Sequence, residues 1–131
     1  MTAPGGGGGA AGPRLSRADR ATQVWQALLS AAHNRQTLTY SLLAEQIGLA
    51  AKELTEPLVM VAGYCAVKQL PPLPVLVVQV DTGTPATGMS WASDPDFARE
   101  AVYQHAWFRL KPPSASDFAL VESMGFGEPA V

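Results

Sequence analysis

The stretch LPPLPVLVVQVD, residues 70–81, decides how the chain can fold. Its three prolines end any preceding helix and hold the backbone extended. The apolar run that follows is rich in β-branched valine, which is typical of a strand. Next comes DTGTPATG, which combines glycine and proline in the manner of a turn. We therefore predict a proline-led strand over 75–80, followed by a loop or short β-wing over 81–89.

Three segments before the strand are predicted to be helices. Residues 18–33 place apolar side chains at the spacing of one helix face. A short helix is predicted over 39–47, where a threonine or serine can cap the start and Gly48 can adopt the left-handed conformation past the end. A third helix is predicted over 55–69. Its interior carries no charged residue, which indicates burial on most sides or an interface.

The C-terminal part predicts a helix over 94–109, with Phe97 and Val102 on its inner face, and a last short helix that ends at Met124. Near the N-terminus, five consecutive glycines lose much backbone entropy on ordering and offer no side chain to bury. We therefore divide the chain into a disordered glycine-rich tail, 1–17, one domain, 18–124, and a frayed end, 125–131. The predicted fold is α+β and mostly helical: a winged-helix-like three-helix core with a short β-wing and an additional C-terminal helix.

The sequence VWQALLSAAHNRQTLTYSLLAEQIG, residues 24–48, resembles the opening of the C-terminal domain of alkylguanine-DNA alkyltransferases. That family has a V-W-x-x-L helix, a Ser/Thr-Tyr pair and an L-A-x-x-x-G ending. The matching residues here are Val24, Trp25, Leu28, Thr39, Tyr40, Leu43, Ala44 and Gly48. The resemblance extends over about 21–80 and implies a winged-helix domain of the alkyltransferase-like kind.

The positions that match the family's reactive residues do not retain the residues that its reaction needs. In register with the family's proline pair, Gln79 stands at the place of the reactive cysteine, and Val80 and Asp81 stand at its histidine and arginine. Alkyl transfer needs an activated thiolate, which an amide cannot supply. Tyr40 matches the family's tyrosine that helps to rotate a nucleotide out of the stack; packing at a helix start is the alternative role. We therefore expect no enzymatic activity.

The composition of the chain indicates which cofactors and which cellular location to expect. The chain has one cysteine, Cys65, and two histidines that are far apart in the sequence, so we expect no disulfide, no metal and no cofactor. Cys65 is expected to be a small buried residue of the third helix. No run reaches the ~18 apolar residues of a membrane span, and the N-terminus lacks a signal-peptide core, so a cytoplasmic protein is the default expectation.

Two functions remain open. One is a protein-interaction or self-association module. An apolar third helix and several aromatic residues support this hypothesis. Its candidate interface residues are Val59, Met60, Tyr64, Trp91, Trp107 and Phe108. The other is nucleic-acid binding through the winged-helix face and a basic N-terminal arm. Its candidate contacts are Arg14, Arg17, Arg20, Arg35, Tyr40, Lys52 and Lys68. We rank protein interaction first because the first 20 residues carry +2, which leaves −4 on the rest of a chain whose total is −2.

Overall fold

The computed structural model describes residues 15–79 and 91–124. Within these ranges the chain is mostly helical and contains one two-stranded sheet. The elements are α1 (Arg17–His33), β1 (Leu38–Thr39), α2 (Tyr40–Ile47), α3 (Thr55–Val67), β2 (Val77–Val78), α4 (Pro95–Gln104) and α5 (Ala115–Ser123). Short 3-10 turns lie at Ala51–Leu54, Leu73–Leu76 and Trp107–Arg109. The predicted β-wing, the stretch 1–14 and the predicted frayed end lie outside the described residues.

Local capping explains where the first two helices begin. Ser16 caps α1, because its Oγ accepts from the Asp19 N–H at 3.0 Å while Asp19 Oδ2 accepts from the Ser16 N–H, also at 3.0 Å. Arg17 is therefore the first residue of a helix and not part of the predicted tail. Thr39 caps α2 through its side-chain oxygen, as expected. Gly48 ends α2 with a φ of 77°, a backbone conformation that glycine adopts at little cost.

The hydrophobic core lies between α1, α3 and α5, which pack against one another. At its centre the ring of Trp25 lies 5.5 Å from that of Tyr64, measured between centroids. The rings of Trp107 and Phe118 lie 5.7 and 6.2 Å from that of Trp25. These tilted and edge-to-face contacts are the favourable arrangements of aromatic pairs. The last helix thus completes the core formed by the first and third.

The strand after the prolines is shorter than predicted. Residues Leu73–Leu76 form a 3-10 turn, and Val77–Val78 alone are extended. They pair in parallel with Leu38–Thr39 of β1. All six residues of turn and strand are buried, so the apolar run serves the core and not a long sheet. A hairpin wing would be antiparallel, so this sheet is not the predicted wing.

The predicted helix 94–109 divides into two parts. It is helical over Pro95–Gln104, then extended at His105, and ends in the turn Trp107–Arg109. This break directs the Trp107 ring into the core, where its Nε1 donates to the Val102 carbonyl at 2.7 Å. The predicted inner face is only partly right. Val102 is buried, but its core-facing neighbour one turn earlier is Ala98, and Phe97 is 75% exposed.

Candidate functional site

Three of the predicted nucleic-acid contacts lie together beside the turn between α2 and α3. Arg17, Arg20 and Lys52 line an open groove of about 850 Å³. Glu53 and Glu56 line the same groove. The groove therefore mixes both signs of charge, whereas a phosphate-binding surface is strongly basic.

The two arginines of this groove make contacts within the protein. Arg17 Nη1 lies 2.8 Å from Glu122 Oε2 and 3.4 Å from Glu56 Oε2. Arg20 Nη1 donates to the Ile47 carbonyl at 2.7 Å, which satisfies a backbone oxygen in the last turn of α2. Arg17 thus links three helices, and Arg20 stabilises a helix end. Lys52 is exposed.

The other predicted basic residues lie elsewhere. Arg35 Nη1 is 3.4 Å from Glu100 Oε2, and its guanidinium lies 5.5 Å from the centroid of the Tyr103 ring. Lys68 follows the C-terminal end of α3, with its Nζ 6.0 Å from the centroid of the Tyr64 ring. Arg14 lies outside the described residues. The structure therefore brings three of the six predicted cationic contacts together.

Tyr40 and Gln79 are the residues that directly follow the two parallel strands, and they lie at the same edge of the sheet. Thr39 is paired with Val78, so the next residue of each strand lies at the same edge of the sheet. Both residues are half-buried. A phenol and an amide can bind a polar group through hydrogen bonds, but neither supplies a thiolate.

Cys65 lies on α3 and is buried, as predicted. Burial raises the pKa of its thiol to about 11, although a hydrogen bond from the Leu73 backbone lowers it slightly. Near neutral pH the sulfur is therefore protonated and enclosed by apolar side chains. Cys65 has the properties of a core residue.

Half of the predicted interface residues belong to the chain's own core. Met60, Tyr64 and Trp107 are buried, so their prediction as interface residues is wrong. The physical reason is that α1, α5 and the turn Leu73–Leu76 cover the uncharged part of α3. Val59 and Trp91 are half-buried, and Phe108 is 65% exposed.

An apolar surface that the sequence analysis missed lies on α5. Phe118 and Val121 are buried against α1 and α3, while Leu120 and Met124 are 63% and 55% exposed. We define the outer strip of α5 by its exposed apolar and small residues, Ser116, Ala119, Leu120, Ser123 and Met124. No member of this strip carries a charge. The signal in the sequence is an apolar pattern too broad for one helix face.

Comparison with known proteins gives no relative. No protein-family model matches the chain, and no curated protein or solved structure matches it either. In the part of the chain that the structure describes, no helix is both long and apolar enough to cross a membrane. Residues 15–79 and 91–124 also contain no group of three or more histidine, cysteine or acidic side chains that could hold a metal ion.

Proposed function

We propose that the protein is a non-enzymatic interaction module that self-associates through the outer strip of α5. The observation that carries this proposal is that α5 has large apolar side chains on its core-facing side and also on its exposed side. Phe118 and Val121 fill the core, and Leu120 and Met124 face outward. Exposed apolar patches of this kind mark interaction surfaces.

The composition of the strip favours a second copy of the chain as the partner. Leu120 and Met124 are one turn apart and form a ridge. On one side of this ridge, Ser116, Ala119 and Ser123 are small and allow a second helix to approach closely, and on the other side lies the exposed Asp117. The ridge of one copy can lie over the small residues of the other, which is the self-complementarity that a two-fold interface requires. A net charge of −2 gives little repulsion between copies.

Sedimentation velocity over the micromolar range tests this proposal. We expect the wild type to shift from monomer to dimer as concentration rises, and the double variant Leu120→Glu/Met124→Glu to stay monomeric, since two carboxylates per copy oppose burial. Phe97→Glu is the matched control, because Phe97 is also exposed but lies on α4. A wild type that is monomeric throughout, or a control that dissociates as the double variant does, contradicts the proposal. Circular dichroism checks that every variant is folded.

We also propose, as a second candidate, a winged-helix-type domain that binds DNA in the manner of alkyltransferase-like proteins. Its support is the order of α1, α2, α3 and β2, together with Tyr40 beside Gln79. Fold analogy alone is a weak reason for a function, and Glu53 and Glu56 offset the basic residues of the groove. Self-association therefore stands first.

Titration into labelled duplex DNA at low and high salt tests the second candidate. This candidate expects binding that weakens steeply with salt and is lost in Arg17→Ala/Lys52→Ala, because each phosphate contact releases counterions. Arg109→Ala is the control, since Arg109 lies outside the groove. Absence of binding at low salt, or equal binding by the double variant and the control, contradicts it.

A further inference from the structure

A cavity of about 280 Å³ lies between α1, the C-terminal end of α3 and the chain that precedes α5. Its lining residues are Trp25, Tyr64, Lys68, Leu70, Leu110 and Lys111, and we call it the lysine cavity. Its volume is near the lower end of the range for ligand pockets, so it suits a small molecule. None of its lining residues belongs to the outer strip of α5 or to the groove at Lys52.

The polar groups of the lysine cavity are hydrogen-bond donors. Trp25 is buried, and its Nε1–H has no acceptor among the described residues. An indole N–H only donates, and so do the ammonium groups of Lys68 and Lys111. Burial, together with the nearby Asp117 carboxylate, raises the pKa of Tyr64, so its hydroxyl keeps a proton that it can donate. The ammonium groups of this cavity therefore favour a ligand that brings acceptors.

The charge around the cavity favours one negative charge on the ligand. Asp117 accepts hydrogen bonds from Ser114, at 2.8 Å from its backbone N and 3.2 Å from its Oγ. These bonds lower the pKa of Asp117, and the charges of Lys68 and Lys111 lower it further. The carboxylate is thus ionised and offsets one of the two ammonium groups. One positive charge remains to be balanced.

The remaining lining is apolar. The side chains of Leu70 and Leu110 and the rings of Trp25 and Tyr64 offer contact to a hydrophobic body. We propose that the lysine cavity binds a small organic carboxylate with an aromatic or branched apolar body. The carboxylate accepts hydrogen bonds from the two lysines, and the apolar body lies against the leucines and the rings of Trp25 and Tyr64.

Titration with sodium benzoate, followed by the indole N–H signals in NMR spectra of the full chain, tests this proposal. We expect saturable movement of the Trp25 signal with benzoate and none with benzamide, which has the same ring but no charge. Lys68→Gln/Lys111→Gln should weaken benzoate binding by about tenfold or more, because two charge-assisted hydrogen bonds are lost. Lys52→Gln, which changes an exposed lysine outside the cavity, should bind benzoate as the wild type does.

Three outcomes overturn the proposal. The first is a Trp25 signal that does not move up to millimolar benzoate. The second is equal movement with benzamide, which would mean that the charge is not recognised. The third is equal affinity in Lys68→Gln/Lys111→Gln and Lys52→Gln, which would place benzoate elsewhere. Both variants change exposed lysines, so they retain the core against which the signal is read.

Discussion

The helices α3 and α5 both carry apolar side chains beyond a single face, yet their surroundings differ. The third helix is enclosed by α1, α5 and the turn Leu73–Leu76, and even Cys65 on it is buried. The fifth buries Phe118 and Val121 and leaves Leu120 and Met124 exposed. An apolar pattern therefore predicts that a helix needs cover, but the position of the helix in the fold decides whether the chain itself supplies that cover.

The two helices also differ in how they begin. No side chain caps the start of α3, where Leu54 stands at the capping position. At the start of α5, Ser114 and Asp117 form a reciprocal capping box. The enclosed helix is thus stabilised by packing, while the half-covered helix has local hydrogen bonds to stabilise its first turn.

The largest expected effect separates the two sides of α5. Phe118→Ala should reduce the free energy of unfolding by about 3–5 kcal/mol, because it leaves a cavity beside Trp25 and Tyr64. Leu120→Ala, on the exposed side, should change it by no more than about 0.5 kcal/mol in the monomer. Urea denaturation at low protein concentration measures both. Similar losses for the two variants would mean that α5 has no distinct inner and outer sides.

A smaller effect tests the enclosure of α3. Burial raises the pKa of Cys65 from its ordinary value of 9.0 to about 11. The unfolded chain therefore loses this proton first as the pH rises, and the folded state loses stability between pH 9 and 11. Over this pH interval we expect the free energy of unfolding of the wild type to fall by about 2 kcal/mol more than that of Cys65→Ala. If the free energies of unfolding of the wild type and of Cys65→Ala, measured by denaturation, fall in parallel from pH 8 to 11, the thiol is not enclosed.

The smallest effect concerns the start of α5. Ser114→Ala removes the capping box and should cost about 1 kcal/mol of unfolding free energy. Ser116→Ala is the matched control, since Ser116 lies on the outer strip and should change the stability by about 0.5 kcal/mol or less. Thermal denaturation of the two variants compares them directly. A loss as large for Ser116→Ala as for Ser114→Ala would contradict a role for the capping box.

The sequence predicted the helices well where local chemistry determines them. The helix α2 begins after Thr39 and ends at Gly48, as expected, because a cap and a left-handed residue act within one turn. The strand was predicted too long, since β-propensity does not show that Leu73–Leu76 would curl into a buried turn. The helix 94–109 was also predicted too long, because the break at His105 depends on the place that Trp107 takes in a core formed by distant residues.

The candidate sites were harder to predict because they depend on tertiary neighbours. Nothing local shows that Met60 faces another helix of the same chain. The outer strip of α5 could have been inferred from residues 116–124 alone, whose apolar positions exceed one helix face. The lysine cavity could not, since Trp25, Lys68 and Lys111 are brought together only by folding.

Hydrogen–deuterium exchange at low and high protein concentration tests most directly whether α5 is half-covered in the monomer and covered by a second copy. We expect the amides of residues 119–124 to exchange more slowly as concentration rises, while those of 58–65 on α3 are equally protected at both concentrations. Leu120→Glu/Met124→Glu should abolish the concentration dependence. Exchange in α5 that is independent of concentration in the wild type would contradict the account.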